Sequence, residues 1–486
     1  MKYYLGIDIG TSGTKAVCFD SLGKAIYESN KEYDLINPKP TYAEQNPLDW
    51  FMAVKSVIKD ITDNGYIING IGLSGQMHGL VLLDKHDNIL RNSIIWCDNR
   101  AYNEAKQLEN DLGNDFLKKV TGNNVVPSFT LSKLLWVKNN EPDIFNRIDK
   151  IMLPKDYIRY MLTNSFKTEY SDASGMQMLD IHNKCFSKEI CDYLGISLNN
   201  LPELVESSDI SGYIKNDLSE ELGLSAKCFV VGGAGDQAAA AIGNGIVNIG
   251  DVSVVLGSSG VVFTPIDING FDNDSLQVFM HAIPNTYHIM GVTNGCGLSY
   301  KWFKENIGDT FSYNELNEFA SKSMASNNLI YLPYLNGERT PHMDPNASGT
   351  FIGIRQNTTK GDLVRSVLEG VAFSLKDCFS LLPDIDYKVY ISGGGSKGDL
   401  WRTIISSTLN SNVHRIEQSE GGALGVAILA MVADNVYNNI DEAVNAIIKT
   451  KDITKPNMDW VDVYHKKYQL YKKAYLSLKE YFKELV

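Results

Sequence analysis

The strongest constraint on the fold is a short stretch that occurs twice. Near its start the chain reads Gly6-Ile-Asp-Ile-Gly10-Thr-Ser-Gly-Thr-Lys15-Ala-Val-Cys-Phe-Asp20, and at 254–263 it reads Val-Val-Leu-Gly257-Ser-Ser-Gly260-Val-Val-Phe. In each copy apolar residues flank a bend that begins and ends in glycine and carries two hydroxyls. Glycine permits a tight reversal that a Cβ would resist, so each copy predicts strand, hydroxyl-rich turn, strand. A P-loop requires G-x-x-x-x-G-K-[ST] opening a helix, and a dinucleotide fingerprint requires G-x-G-x-x-G opening a helix. Neither follows, because Ser21-Leu-Gly23 is another turn and 24–33 reads as a third strand. Backbone N–H groups and hydroxyls on such a turn suit phosphate oxygens. Asp8 beside the first copy suits Mg2+ held through water. For either copy alone, an ordinary glycine-rich hairpin is the alternative. A second pair of echoes, Ile71-Gly-Leu-Ser-Gly75 and Tyr390-Ile-Ser-Gly-Gly394, supports an internal duplication. The expectation is an α/β chain of two domains, 1–245 and 246–486, with a nucleotide's phosphates between the two bends in an interdomain cleft.

Composition narrows the function. A net charge of −13 repels nucleic-acid phosphates, so no nucleic-acid partner is expected, and anionic ATP would have to be met by local positive groups and metal. The seven Cys lie apart with no C-x-x-C, which fits reduced thiols in a cytoplasm. The eight His show no metal-ligand spacing. Neither a signal peptide nor a membrane span is read, so no membrane partner is expected.

Along the chain, Asn46-Pro47 reads as a helix start, with Phe51, Val54, Ile58 and Ile61 at helical spacing. Asn69-Gly70 is expected to turn the chain into the strand Ile71–Leu73, followed by Ser74-Gly-Gln-Met-His-Gly79. Helices are expected over 101–120, 128–140, 155–162, 187–194 and 359–381. An apolar helix begins at Ala423, and Tyr464, Tyr468, Tyr471, Tyr475, Leu478 and Phe482 form a C-terminal aromatic stripe that predicts core packing.

Asp236 follows a strand and a run of glycines, with a helix starting beside it. It is the candidate general base for phosphoryl transfer to an alcohol, a helix cap being the alternative. Met77 and His78 lie in a loop at a strand's carboxyl end, where ligands bind in α/β sheets. Trp96, Asp98 and Arg100 offer an apolar face and polar groups to a polyol, or else an ordinary strand end with a surface ion pair. Gly393, Gly394 and Gly395 would let a nucleoside lie on backbone, although glycine clusters are ordinarily turns.

Together these residues resemble the FGGY carbohydrate kinases, and among them the xylulokinases. Ser128-x-Thr130-x-x-Lys133-Leu134-x-Trp136-Val137-x-Asn139-Asn140 is similar to the first family signature. Gly349-x-Phe351-x-Gly353-Ile354 with Asp362-Leu363-x-x-Ser366-Val367-Leu368-Glu369 is similar to the second. Glu44-Gln-Asn-Pro47, Ser74–Gly79 and Gly337-Glu-Arg-Thr-Pro-His342 resemble the xylulokinase versions. The resemblance covers nearly the whole chain. It implies a two-domain RNase-H-like fold of the actin, Hsp70 and hexokinase type, MgATP, and phosphoryl transfer to the terminal hydroxyl of D-xylulose or a related ketose. It implies sugar contacts at Met77, His78, Trp96, Asp98, Asp236 and Gln237, with Asp236 as base and Asp8 near the metal. It implies phosphate contacts at Thr11, Ser12, Gly13, Thr14, Lys15, Ser258 and Ser259, and adenosine at 393–395. It leaves a homodimer open. Asp236-Gln237 departs from the Asp-Asn common in xylulokinases and reads as in glycerol kinases, whereas Met77-His78 does not. Kinases for ribulose, L-xylulose or glycerol are therefore the alternative. An actin-like ATPase would need no such polar pocket, and a sugar-sensing regulator would need a DNA-binding segment that is not seen.

Overall fold

The computed structural model describes residues 2–269, 271–325, 327–417 and 420–485. Two units divide the chain. One comprises Met1–Val247, Val278–His288 and Gln418–Ile448, and the other Asn248–Gln277, Ile289–Glu417 and Lys449–Val486.

In the first unit, β1 (Tyr3–Ile9) pairs antiparallel with β2 (Gly13–Asp20), placing Asp8 opposite Lys15 and Ile9 opposite Thr14. The Gly10 N–H donates to Gly13 O at 3.0 Å and closes the bend. β3 (Ala25–Glu32) extends this edge. α1 (Pro47–Asp63) starts as its sequence predicts: the Asn46 side chain accepts from the Leu48 N–H, and Pro47 loses no helical donor at the first position. Its Trp50, Val54, Ile58 and Ile61 are buried in a core that includes Leu5, Ile7, Ile71 and Leu73. β4 (Ile68–Gly75) runs parallel to β1 with Ser74 opposite Asp8. With β5 (Ile210–Tyr213) and β6 (Phe229–Val231) the sheet order is β5-β6-β4-β1-β2-β3. Asn69-Gly70 is not a turn but part of β4. Gly70 lies under the Phe229 ring, where a Cβ would come within 2.3 Å, so this glycine serves close packing rather than reversal.

A second buried cluster in this unit holds the helix Gly421–Ala433, which is apolar on every side, as a fully enclosed helix must be. It lies directly against backbone. A Cβ on Gly6 would sit 1.9 Å from Ala423 O, and one on Gly72 would sit 2.0 Å from Val426 O. The same helix meets α2 (Asp236–Gly243) through Gly243 and Gly425, each with a carbonyl 1.9 Å from its Cβ position.

In the second unit, β7 (Asp251–Leu256) and β8 (Gly260–Ile266) form the second hairpin, with Leu256 opposite Gly260. β9 (Lys388–Ser392) is parallel to β7. Antiparallel β7–β8 beside a parallel β9 reproduces the β1, β2 and β4 arrangement of the first unit. α3 (Gly297–Asn306) starts against the second bend, its Gly297 and Leu298 N–H groups donating to Gly257 O and Ser258 O at 2.8 and 3.0 Å. α4 (Lys360–Phe379) opens with a capping box between Thr359 and Asp362. In α5 (Met458–Glu484) the stripe residues Tyr464, Tyr468, Tyr471, Tyr475 and Phe482 are buried, as the spacing predicts, while Leu478 is half-buried. The tyrosine hydroxyls are bonded: Tyr464 takes a hydrogen bond from Arg365, and Tyr468 donates to Asp377.

Candidate active site

Parallel pairing of β1 and β4 brings Asp8 beside Ser74, whose Oγ donates to Asp8 Oδ1 at 2.9 Å. Burial pushes the Asp8 carboxyl above its ordinary value. Asp236 is the first residue of α2. The capping position belongs to Gly235, and the Asp236 Oδ1 accepts the adjacent Gln237 N–H at 2.7 Å. Burial, and then the charge of Asp8, push Asp236 up to about 7 from 3.8. Two half-buried carboxyls thus interact at one place in the first unit, and one of them is poised near neutrality, where a general base works best.

The first bend is held from outside by side chains whose roles the sequence does not announce. Tyr33 donates to Gly10 O at 2.6 Å, Gln45 Nε2 donates to Thr11 O at 2.7 Å, and Trp96 Nε1 donates to Thr11 Oγ1 at 2.8 Å. Gln45 is itself held by Gln76 and Trp50 through its Oε1. These partners come from distant positions with no spacing pattern, so only the fold brings them together. Ser12 is exposed, Gly13 is half-buried and Thr14 is buried. Lys15 is ion-paired to Glu420 at 2.6 Å and Glu28 at 3.0 Å, so its charge is already matched within the chain.

Met77 is buried, its thioether against Gly235, where a Cβ would lie 3.0 Å from Sδ. His78 adopts the left-handed backbone conformation, with φ 66°. Its Nδ1 bonds Gly175 O at 2.8 Å, which places the proton on Nδ1 because a carbonyl only accepts. Its ring stacks on Phe129 at 4.0 Å. The His78 carbonyl accepts from Lys133 Nζ at 2.9 Å and Thr130 Oγ1 at 3.2 Å, so two residues of the first signature hold this loop. Burial brings the Lys133 amine down to about 7. Trp96 is 44% exposed. Asp98 is fully buried, both oxygens bonded by Arg100 and one also by the Ala43 N–H. Arg100 in turn lies over Tyr42 at 3.9 Å and pairs with Glu44. Asp98 and Arg100 therefore form an interior ion pair rather than a surface one. Gln237 is half-buried beside Asp236.

The second unit carries its own cavity, about 370 Å³, within the range of small-molecule sites. Tyr300, Tyr313 and Trp401 supply aromatic walls, and Gly394 and Gly395 supply backbone. Gly393 has φ 84° and abuts Leu256 O, while Gly394 meets nothing within 4 Å of a Cβ. Ser258 and Ser259 are both exposed in the bend between β7 and β8.

Among the described residues no group of three or more His, Cys, Asp or Glu is placed to hold a metal. Asp8 suits a hard cation that keeps most of its waters and takes its other ligands from phosphate. Among the described residues no helix is long and apolar enough to cross a membrane.

Residues 3–243 match the N-terminal domain of the FGGY family of carbohydrate kinases, and 252–433 match its C-terminal domain. A xylulose kinase of Staphylococcus epidermidis is 36% identical over 492 residues, covering 99% of this chain and 98% of that one. The ligand-bound xylulose kinase of Lactobacillus acidophilus superposes with a TM-score of 0.95 at 29% identity, over 100% of both chains. A structure described as gluconate kinase from the same species gives the same TM-score, identity and coverage.

Proposed function

Because the chain belongs to the FGGY family of carbohydrate kinases, we propose that it transfers the γ-phosphoryl group of ATP to the terminal hydroxyl of D-xylulose, giving D-xylulose 5-phosphate. The observation that carries the mechanism is Asp236, a carboxyl raised to about 7 and set beside Asp8 at the start of α2. As general base it accepts the proton of the sugar hydroxyl while that oxygen attacks phosphorus. Met77, His78, Trp96 and Gln237 shape the sugar subsite, with Asp98 holding the segment that presents Trp96. The bends at Thr11–Lys15 and Ser258–Ser259 serve the phosphates, and the cavity at 393–395 serves the adenosine. Mg2+ would enter with the nucleotide beside Asp8 and neutralise charge on the phosphates. The functional halves are 1–245, with sugar site and base, and 246–486, with the nucleoside site. Seven free cysteines fit a reducing cytoplasm.

A second reading is a kinase for another sugar or polyol. It is favoured by the equal likeness to proteins described as xylulose and gluconate kinases, and by Gln237 after the base. Coupled ADP assays with D-xylulose, L-xylulose, D-ribulose, gluconate and glycerol decide between them. The first reading expects the largest kcat/KM for D-xylulose; a higher value for any other acceptor overturns it.

A further inference from the structure

A buried charged cluster lies behind the turn that carries Asp236, and the chemistry above makes no use of it. Lys155, fully buried, meets Asp156 Oδ1 at 2.9 Å, Asp172 Oδ2 at 3.0 Å and Glu169 Oε1 at 3.2 Å. Arg159 pairs with Asp156 at 3.0 Å. Enclosed ion clusters are weak sources of stability, because desolvation offsets their attraction. What this one touches is more telling. Arg159 donates to Gly232 O, at one end of the glycine turn that precedes Asp236. At the other end the Gly235 N–H donates to Ser171 Oγ at 3.0 Å, and Ser171 Oγ donates to Glu169 Oε1 at 3.0 Å. Glu169 also accepts the Ser171 and Asp172 N–H groups and Ser207 Oγ, so its position is fully determined. Between these ends Gly233, at φ 74°, lies against Leu73 O, where a Cβ would be 2.1 Å away. The turn is therefore gripped at both ends and leaves no slack before α2.

We propose that Lys155, Glu169 and Ser171 are positioning residues for the Asp236 carboxylate. A chain from ammonium through carboxylate and hydroxyl to the Gly235 N–H fixes the start of α2 for phosphoryl transfer. The proposal rests on Asp236 acting as base. Without the hydroxyl, the Gly235 N–H loses its acceptor and the turn can relax. Displacement of a catalytic group by an ångström costs on the order of 100-fold in rate.

The test uses the full chain with Ser171→Ala, Ser171→Thr, Glu169→Gln and Asp236→Asn, measuring Tm, kcat and the KM for sugar and ATP. The expected result is a folded Ser171→Ala with both KM values near wild type and kcat lower by on the order of 10- to 100-fold. Ser171→Thr, which keeps the hydroxyl, restores most of the rate, and Glu169→Gln falls in kcat as Ser171→Ala does. Should Ser171→Ala not fold, Ser171→Cys keeps a side chain of the same connectivity, weakens the acceptor and gives the same reading. Folded variants with wild-type kcat, or a loss that Ser171→Thr does not recover, overturn the clamp. Wild-type activity in Asp236→Asn would remove the base reading instead, so the two failures are distinguishable.

Discussion

Asp236 and Asp8 show how one residue's environment sets both chemistry and stability. Burial and a neighbouring carboxylate favour the protonated form of Asp236, so the folded state binds this proton more tightly than the unfolded chain, with the pKa rising from 3.8 to about 7. The group's contribution to stability is present below pH 3.8 and is lost as pH rises through about 7. Asp236→Asn, which mimics the neutral form, is therefore expected to raise Tm by a few degrees at pH 8 and to leave it unchanged near pH 4. Calorimetry at the two pH values checks this. At His78, Lys133→Met should leave the carbonyl without its ammonium donor and raise the KM for sugar while sparing the KM for ATP; steady-state kinetics reads the split. The glycine run and the helix that starts at Asp236 are legible in sequence, whereas the enclosure of Asp98 is not. Its partners are Arg100, two residues on, and the Ala43 N–H, and nothing in the local pattern says that both lie in the interior.

At the scale of elements, contacts through glycine decide tolerance. Gly72→Ala would drive a Cβ against the Val426 carbonyl of an enclosed helix, which cannot yield as a flexible side chain does. Overpacking of this kind costs about 1–3 kcal/mol or more, and a lowered urea midpoint with unchanged m-value would register it. In the cavity proposed for the nucleoside, neighbouring glycines are expected to differ. Gly394→Ala meets nothing of the chain within 4 Å, while Gly395→Ala meets Trp401 at 2.8 Å and Leu256 Cβ at 2.9 Å, so only the second should lower Tm. Both hairpins, α1 with its Asn46 cap and the aromatic stripe of α5 were legible, because turn chemistry, capping and periodicity act locally. Asn69-Gly70 misleads for a reason of the same kind: the pair is a common turn signal, yet Gly70 is required by an aromatic ring from another strand. The helix Gly421–Ala433 has no polar face, so its partners leave no signature in its sequence.

For the whole molecule, the repeated bend and its flanking strands are the organising feature. Each unit sets an antiparallel hairpin beside a parallel strand. That repetition was visible in sequence because both copies preserve glycine, hydroxyl and apolar positions. The return of distant segments to the first unit, such as the Glu420 that pairs with Lys15, depends on long-range packing that no short window records. A carbohydrate kinase built this way should form ADP only when its acceptor is present, so omitting sugar should abolish turnover in the coupled assay; an actin-like ATPase would turn over regardless. The most direct measurement is kcat/KM for D-xylulose against pH in wild type and Asp236→Asn, since kcat/KM reports the free enzyme's ionisations. The account predicts a wild-type limb that rises through a pKa of about 7, and a variant lower by on the order of 100- to 10,000-fold with that limb absent. A variant with wild-type rate and the same limb would contradict it.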